Sequence, residues 1–233
     1  MKGRIWELDA ARGIFIIGMV IVHLCYDLTG AYHIPALENS RLYRFFLDWG
    51  AVLFLLLSGI CATLGSRNIR RGLTVFGGGM LCSLATFLLY RLGFAHKSIL
   101  IYFGILHCLG ICMLLSSFAK KLSGRLLLLT GAALAVFGLW LQTQSIPGSW
   151  LTMPLGLPPV NFASSDYFPL LPNFGFFLIG SGLGKYLYPR KTTRFPKANP
   201  HDPLIAGLAF IGRHTLLIYL LHQPVIAMLL LIF

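Results

Sequence analysis

Charge is what this chain has least of. Asp, Glu, Lys and Arg make up only 11% of its 233 residues, and just seven of them are acidic. Hydrophobic residues reach 57%, a balance that excludes an ordinary soluble domain and fits an integral membrane protein. No polar stretch is long enough to bury a core of its own, so 1–233 reads as a single transmembrane domain. The G-x-S-x-G elbow, the P-loop and the dinucleotide fingerprint are all missing, which removes the chemistries those motifs carry. So is the ten-residue alternation of a membrane β-barrel. The five cysteines fall within apolar runs, where a disulfide framework does not fit. Cys108 and Cys112 share a helical face beside His107, but two thiols and one imidazole make a poor metal site. Packing explains them better, and no metal is expected.

What the chain does have is a series of apolar runs of spanning length. Seven lie at about 11–29, 45–65, 72–91, 99–118, 125–142, 169–188 and 213–233, which predicts an all-α, polytopic helical bundle. With the N-terminus in the cytoplasm, 15 of the 19 Lys and Arg fall on the inner side. Only Arg41, Arg44, Arg91 and Lys97 fall outside. The net charge of +12 is then a topology signal, and no nucleic-acid partner is needed to explain it. Glu7 and Asp9 flank the first run and no small-x-small site follows it, so it reads as uncleaved. The inner segment 185–203 is basic and contains prolines, and reads as an exposed linker.

The first run carries charges that a plain anchor would not have. Arg12 and His23 are eleven residues apart, about 20° past three full turns, so they share a face roughly 16 Å apart along the axis. His23 and Asp27 stand at i and i+4, where a carboxylate can orient an imidazole. Ionisable groups at membrane depth cost free energy and call for partners or a purpose. His23 has the chemistry of a general base with Asp27 as its orienter; the plain alternative is a core histidine satisfied by a carbonyl. His33, ten residues on, is either a rival base or a solvated loop residue. Arg67, Arg70 and Arg71 follow the second run, where guanidinium forks suit phosphates or simply keep the loop inside. Asp166 either contacts a substrate or caps the sixth helix, and Asn173 beside Pro169 and Pro172 needs a partner within the protein. In the last run Tyr219, His222 and Gln223 cluster beside Pro224, which predicts a helix break and places His222 as a cavity-lining residue. Ser58-Gly59 reads as a close-packing position between helices.

Several of these pieces occur together in one family. Leu-Asp9-Ala-Ala-Arg12-Gly, Met-Val-Ile-Val-His23, Phe-Leu-Leu-Leu-Ser58-Gly59, Tyr167-Phe-Pro169-Leu-Leu-Pro172 and Leu-Ile-Tyr219-Leu-Leu-His222-Gln223-Pro224 resemble the membrane acyltransferases related to heparan-α-glucosaminide N-acetyltransferase. The spacings Arg12-x10-His23 and Arg67-x-x-Arg70 are also similar to those of the wider acyltransferase-3 superfamily. The resemblance implies acetyl-CoA as donor from the cytoplasm, held by Arg12, Arg67, Arg70 and Arg71. It implies an acceptor hydroxyl or amine on a sugar or glycan across a bacterial inner membrane, met by Asp166, Asn173 and His222. It also implies an active histidine just past the first span, near His33, with asparagine at the position of His23; which of the two is the base stays open. A small transporter or a cytochrome would also place polar residues in spans, the first predicting flux and the second a Soret band. Oligomeric state is open, a homodimer included.

Overall fold

A computed structural model describes residues 5–32, 39–144 and 146–232. Its described residues form eight α-helices and no strand beyond an isolated bridge between Phe103 and Tyr167. They are α1 (Trp6–Tyr32), α2 (Arg41–Leu64), α3 (Asn68–Arg91), α4 (Ile105–Ala119), α5 (Gly124–Thr143), α6 (Leu170–Leu187), α7 (Pro203–Arg213) and α8 (Thr215–Ile232). Each of the seven apolar runs becomes helix, so the chain is a polytopic helical membrane protein. Not every run spans alone. Among the described residues four helices, α1, α2, α3 and α5, are long and apolar enough to cross a membrane, and α7 with α8, a pair bent by 82°, makes a fifth if the two count as one span. The run at 99–118 becomes helical only from Ile105, because Lys97–Ile99 is a 3-10 turn and extended chain follows it.

The chain divides into two compact units, Met1–Leu57 with Tyr188–Phe233, and Ser58–Leu187. In the first, α1 packs closely on α7. Gly13 meets the Leu208 carbonyl and Gly212 meets the Asp9 carbonyl, an approach that leaves no room for a Cβ. Asp202 caps α7 by accepting from the N–H groups of Leu204 (3.0 Å) and Ile205 (3.3 Å), with Pro203 in the first turn. This helix was not expected from the sequence. The break in the last membrane segment also differs: it falls at His214, and α8 runs through Pro224 without interruption. The 185–203 segment is held to α1. Glu7 accepts from the Thr193 hydroxyl (2.9 Å) and the Arg194 N–H (2.8 Å), and Trp6 lies 6.3 Å from Phe195.

In the second unit, glycines again set the spacing. Gly131, Gly138 and Gly124 of α5 face Gly175, Pro172 and Gly182 of α6, and Gly72 of α3 faces Gly110 of α4. Gly59 abuts the Phe177 carbonyl and Ser58 is buried, as a close-packing pair requires. Helix ends are tied by cations. Lys120 Nζ donates to the carbonyls of Gly65 (2.9 Å) and Ser66 (3.4 Å) past the end of α2, and Lys185 Nζ donates to those of Lys120 and Leu122 past the end of α4. Positive charge at a helix C-terminus is favourable because the unsatisfied carbonyls point there.

Candidate active site

Helices α1 and α8 bring together four polar side chains. The rings of His23 and His222 meet edge-to-face with centroids 4.9 Å apart. Four residues past His23 and one past His222, Gln223 Nε2 donates to Asp27 Oδ2 at 2.8 Å. Asp27 therefore meets an amide on α8. The orienting contact of His23 is on its own helix, where Nδ1 lies 3.0 Å from the Met19 carbonyl. His222 is anchored the same way, Nδ1 to the Tyr219 carbonyl. A carbonyl can only accept, so in the neutral ring Nδ1 carries the proton and Nε2 keeps its lone pair. Both imidazoles thus present the basic nitrogen away from their own backbone. Arg12 lies along the same helix, its guanidinium 3.2 Å from the Asp9 carboxylate, which is buried. That pair offsets the cost of the charge at this depth. His33 lies outside the described residues.

The second unit holds the remaining candidates. Arg67 stands at the N-cap position of α3 with Arg70 and Arg71 in its first turn, and all three are exposed. No acidic residue shares that turn. Three cations at the positive end of a helix are electrostatically unfavourable, a situation that an anion relieves. The turn is fixed from inside, where buried Asn68 donates to the Ala62 carbonyl (2.8 Å) and to Ser116 Oγ (3.3 Å).

Asp166 caps a helix, but α4 and not α6: its Oδ2 accepts from the Ile105 N–H at 3.1 Å. Asn173 is buried and donates to the Pro169 carbonyl at 2.8 Å, across the irregular start of α6, where Leu171 leaves the helical conformation. Tyr167 donates to the Met153 carbonyl at 2.6 Å, and burial pushes its phenol up to about 12. Beside it, a cavity of about 290 Å³ is lined by Gln142, Gln144 and Tyr167 among apolar residues. Neither Asp166 nor Asn173 lines it. His107 is a packing residue: Nδ1 accepts from the Gly104 N–H (3.2 Å), Nε2 meets Ser83 Oγ (3.4 Å), and Phe103 and Phe76 flank the ring. Among the described residues no group of three or more His, Cys, Asp or Glu could hold a metal.

Sequence reasoning found the α1 stripe but not what α8 adds to it. The i,i+3 and i,i+4 spacing of Tyr219, His222 and Gln223 was the available signal, since it sets three polar groups on adjoining faces. Nothing in the sequence indicated that Gln223 would hold Asp27. Comparison with known proteins supplies the remaining finding. No curated protein and no solved structure matches the chain. The family model of the heparan-alpha-glucosaminide N-acetyltransferase catalytic domain matches residues 4–224, a stretch that includes His23, Asp27, His222 and Gln223. By that match the chain belongs to the heparan-alpha-glucosaminide N-acetyltransferase catalytic family, whose members are membrane acetyltransferases.

Proposed function

We propose that the protein transfers an acetyl group from acetyl-CoA, taken up at the cytoplasmic face of the inner membrane, to a hydroxyl or amine of an extracytoplasmic sugar or glycan. The observation that carries this reading is the pair of imidazoles that α1 and α8 bring together, His23 and His222 with ring centroids 4.9 Å apart, in a chain of an acetyltransferase family. Acetyl-CoA supplies an activated thioester. Arg67, Arg70 and Arg71 bind its phosphates, which offsets their own repulsion at the start of α3. Arg12 stands roughly 16 Å along α1 from His23, the reach of an extended pantetheine arm. His23 takes the proton of the attacking group at Nε2, with His33 as the alternative base. Asp27, held by Gln223 one helical turn after His23, offers its carboxylate to the imidazolium that forms. His222 contacts the acceptor. Asp166 and Asn173 serve the acceptor side by fixing the starts of α4 and α6.

The test is acceptor-dependent release of CoA by detergent-purified protein, with a panel of amino sugars and neutral glycans. His23→Ala is expected to lower kcat by about 10²- to 10⁴-fold, the usual loss of a general base. A triple Arg67, Arg70 and Arg71→Gln variant is expected to raise the KM for acetyl-CoA with little change in kcat. His33→Ala, run beside them, separates the two base assignments. Full activity in both histidine variants would falsify the mechanism.

A further inference from the structure

His107 and His222 show two ways a histidine can be held in this protein. His107 spends both nitrogens, one on a backbone N–H and one on Ser83. His222 spends only Nδ1, on the Tyr219 carbonyl. Its Nε2 is shut off from solvent and has no hydrogen-bond partner among the described residues. A buried lone pair with no donor destabilises the fold, so a histidine placed only to fill space would be held as His107 is. This one belongs to a ring packed against the imidazole expected to do chemistry. Its ring lies 4.9 Å from that of His23, and the next residue holds Asp27. His23, Asp27 and Tyr219 are the titratable groups that meet it.

We infer that His222 is a second catalytic residue: its Nε2 accepts a hydrogen bond from the attacking hydroxyl or amine and shares with His23 the removal of that proton. The inference rests on the acyl-transfer reading above. As the acceptor oxygen or nitrogen bonds to the acyl carbon, the carbon–sulfur bond breaks and its electron pair stays on sulfur. The acceptor proton passes to the imidazole pair and from there to the thiolate, so the products are the acylated acceptor and a free thiol. Two bases that serve one proton transfer act as a unit, and their losses do not add.

The experiment uses the full chain in detergent, with acetyl-CoA and the best acceptor of the panel. His222→Gln is expected to lower kcat about 100-fold or more while acetyl-CoA binding stays within about twofold. The His23→Ala, His222→Gln double variant is expected to fall no further than the more damaged single variant. Free imidazole is expected to restore part of the activity of His222→Ala, which a packing role does not allow. Activity of His222→Gln within about threefold of the unmodified protein overturns the inference, and so does a parallel loss of acetyl-CoA binding, since that marks a structural residue. Absence of any acceptor-dependent turnover in the unmodified protein is a different result: it overturns the transferase reading itself.

Discussion

The phenol of Tyr167 ties the chain before α6 to Met153, fourteen residues earlier, and it can do so only while protonated. Its folded value of about 12 lies above the ordinary tyrosine value near 10. The neutral form is therefore favoured by folding. Its contribution to stability is complete below pH 10 and is lost as pH rises through about 12. The phenolate absorbance of Tyr167, taken as the difference between the protein and Tyr167→Phe, is expected to rise only near pH 12. The same substitution removes one hydrogen bond and is expected to cost about 1 kcal/mol at neutral pH, measured by thermal unfolding in detergent. At this scale the sequence was informative about faces and silent about partners. Periodicity put His23 on the stripe of Arg12, because helical spacing is local. It could not reveal that the Met19 carbonyl fixes the ring or that Asp166 meets Ile105, since each of those depends on which backbone carbonyl or N–H the fold leaves free.

Among the elements, α7 is held by closeness more than by polar ties. A Cβ at Gly212 would collide with the Asp9 carbonyl of α1, whereas a Cβ at Gly207 of the same helix meets nothing within 4 Å. Gly212→Val is expected to push α7 from α1 and to destabilise by about 1–3 kcal/mol or more, as overpacking does. Gly207→Ala is expected to be neutral or stabilising by up to about 1 kcal/mol, from helix propensity alone. Thermal unfolding of the pair checks both, and equal effects would show that the crossing does not depend on backbone approach. The beginning of α7 was legible in Asp202-Pro203, an N-cap followed by the residue best suited to a first turn. Hydropathy and length do not mark it, because eleven residues are too few to span and the basic run before it reads as solvated chain. Pro224 misled in the other direction: a proline inside a helix removes one hydrogen bond but need not turn the axis, and the 82° bend came at His214 instead.

For the molecule as a whole, the charge asymmetry predicts an orientation that labelling can check. Cys25, Cys61, Cys108 and Cys112 are buried and Cys82 is half-buried, so an added cysteine can be read above their background. With a membrane-impermeant maleimide, Val160→Cys is expected to react in intact cells and Lys197→Cys only after the membrane is opened. The reverse pattern would invert the topology and move the donor site to the other face. The helical, membrane-embedded character of the chain was legible because hydropathy and length report it directly. The pairing of α1 with α8 was not. His23 and His222 lie at opposite ends of the chain, and no local pattern carries information across that distance.

The two cations that close the ends of α2 and α4 have a chemical corollary for any protein that handles an activated thioester. A lysine amine attacks such a compound only when it is unprotonated and its lone pair is free. Lys120 and Lys185 are each tied to two backbone carbonyls, so attack by either amine requires releasing the end of a helix. The arrangement that finishes these helices therefore sets a cost on self-modification, because a side chain that leaves for a thioester leaves two carbonyls without their donor.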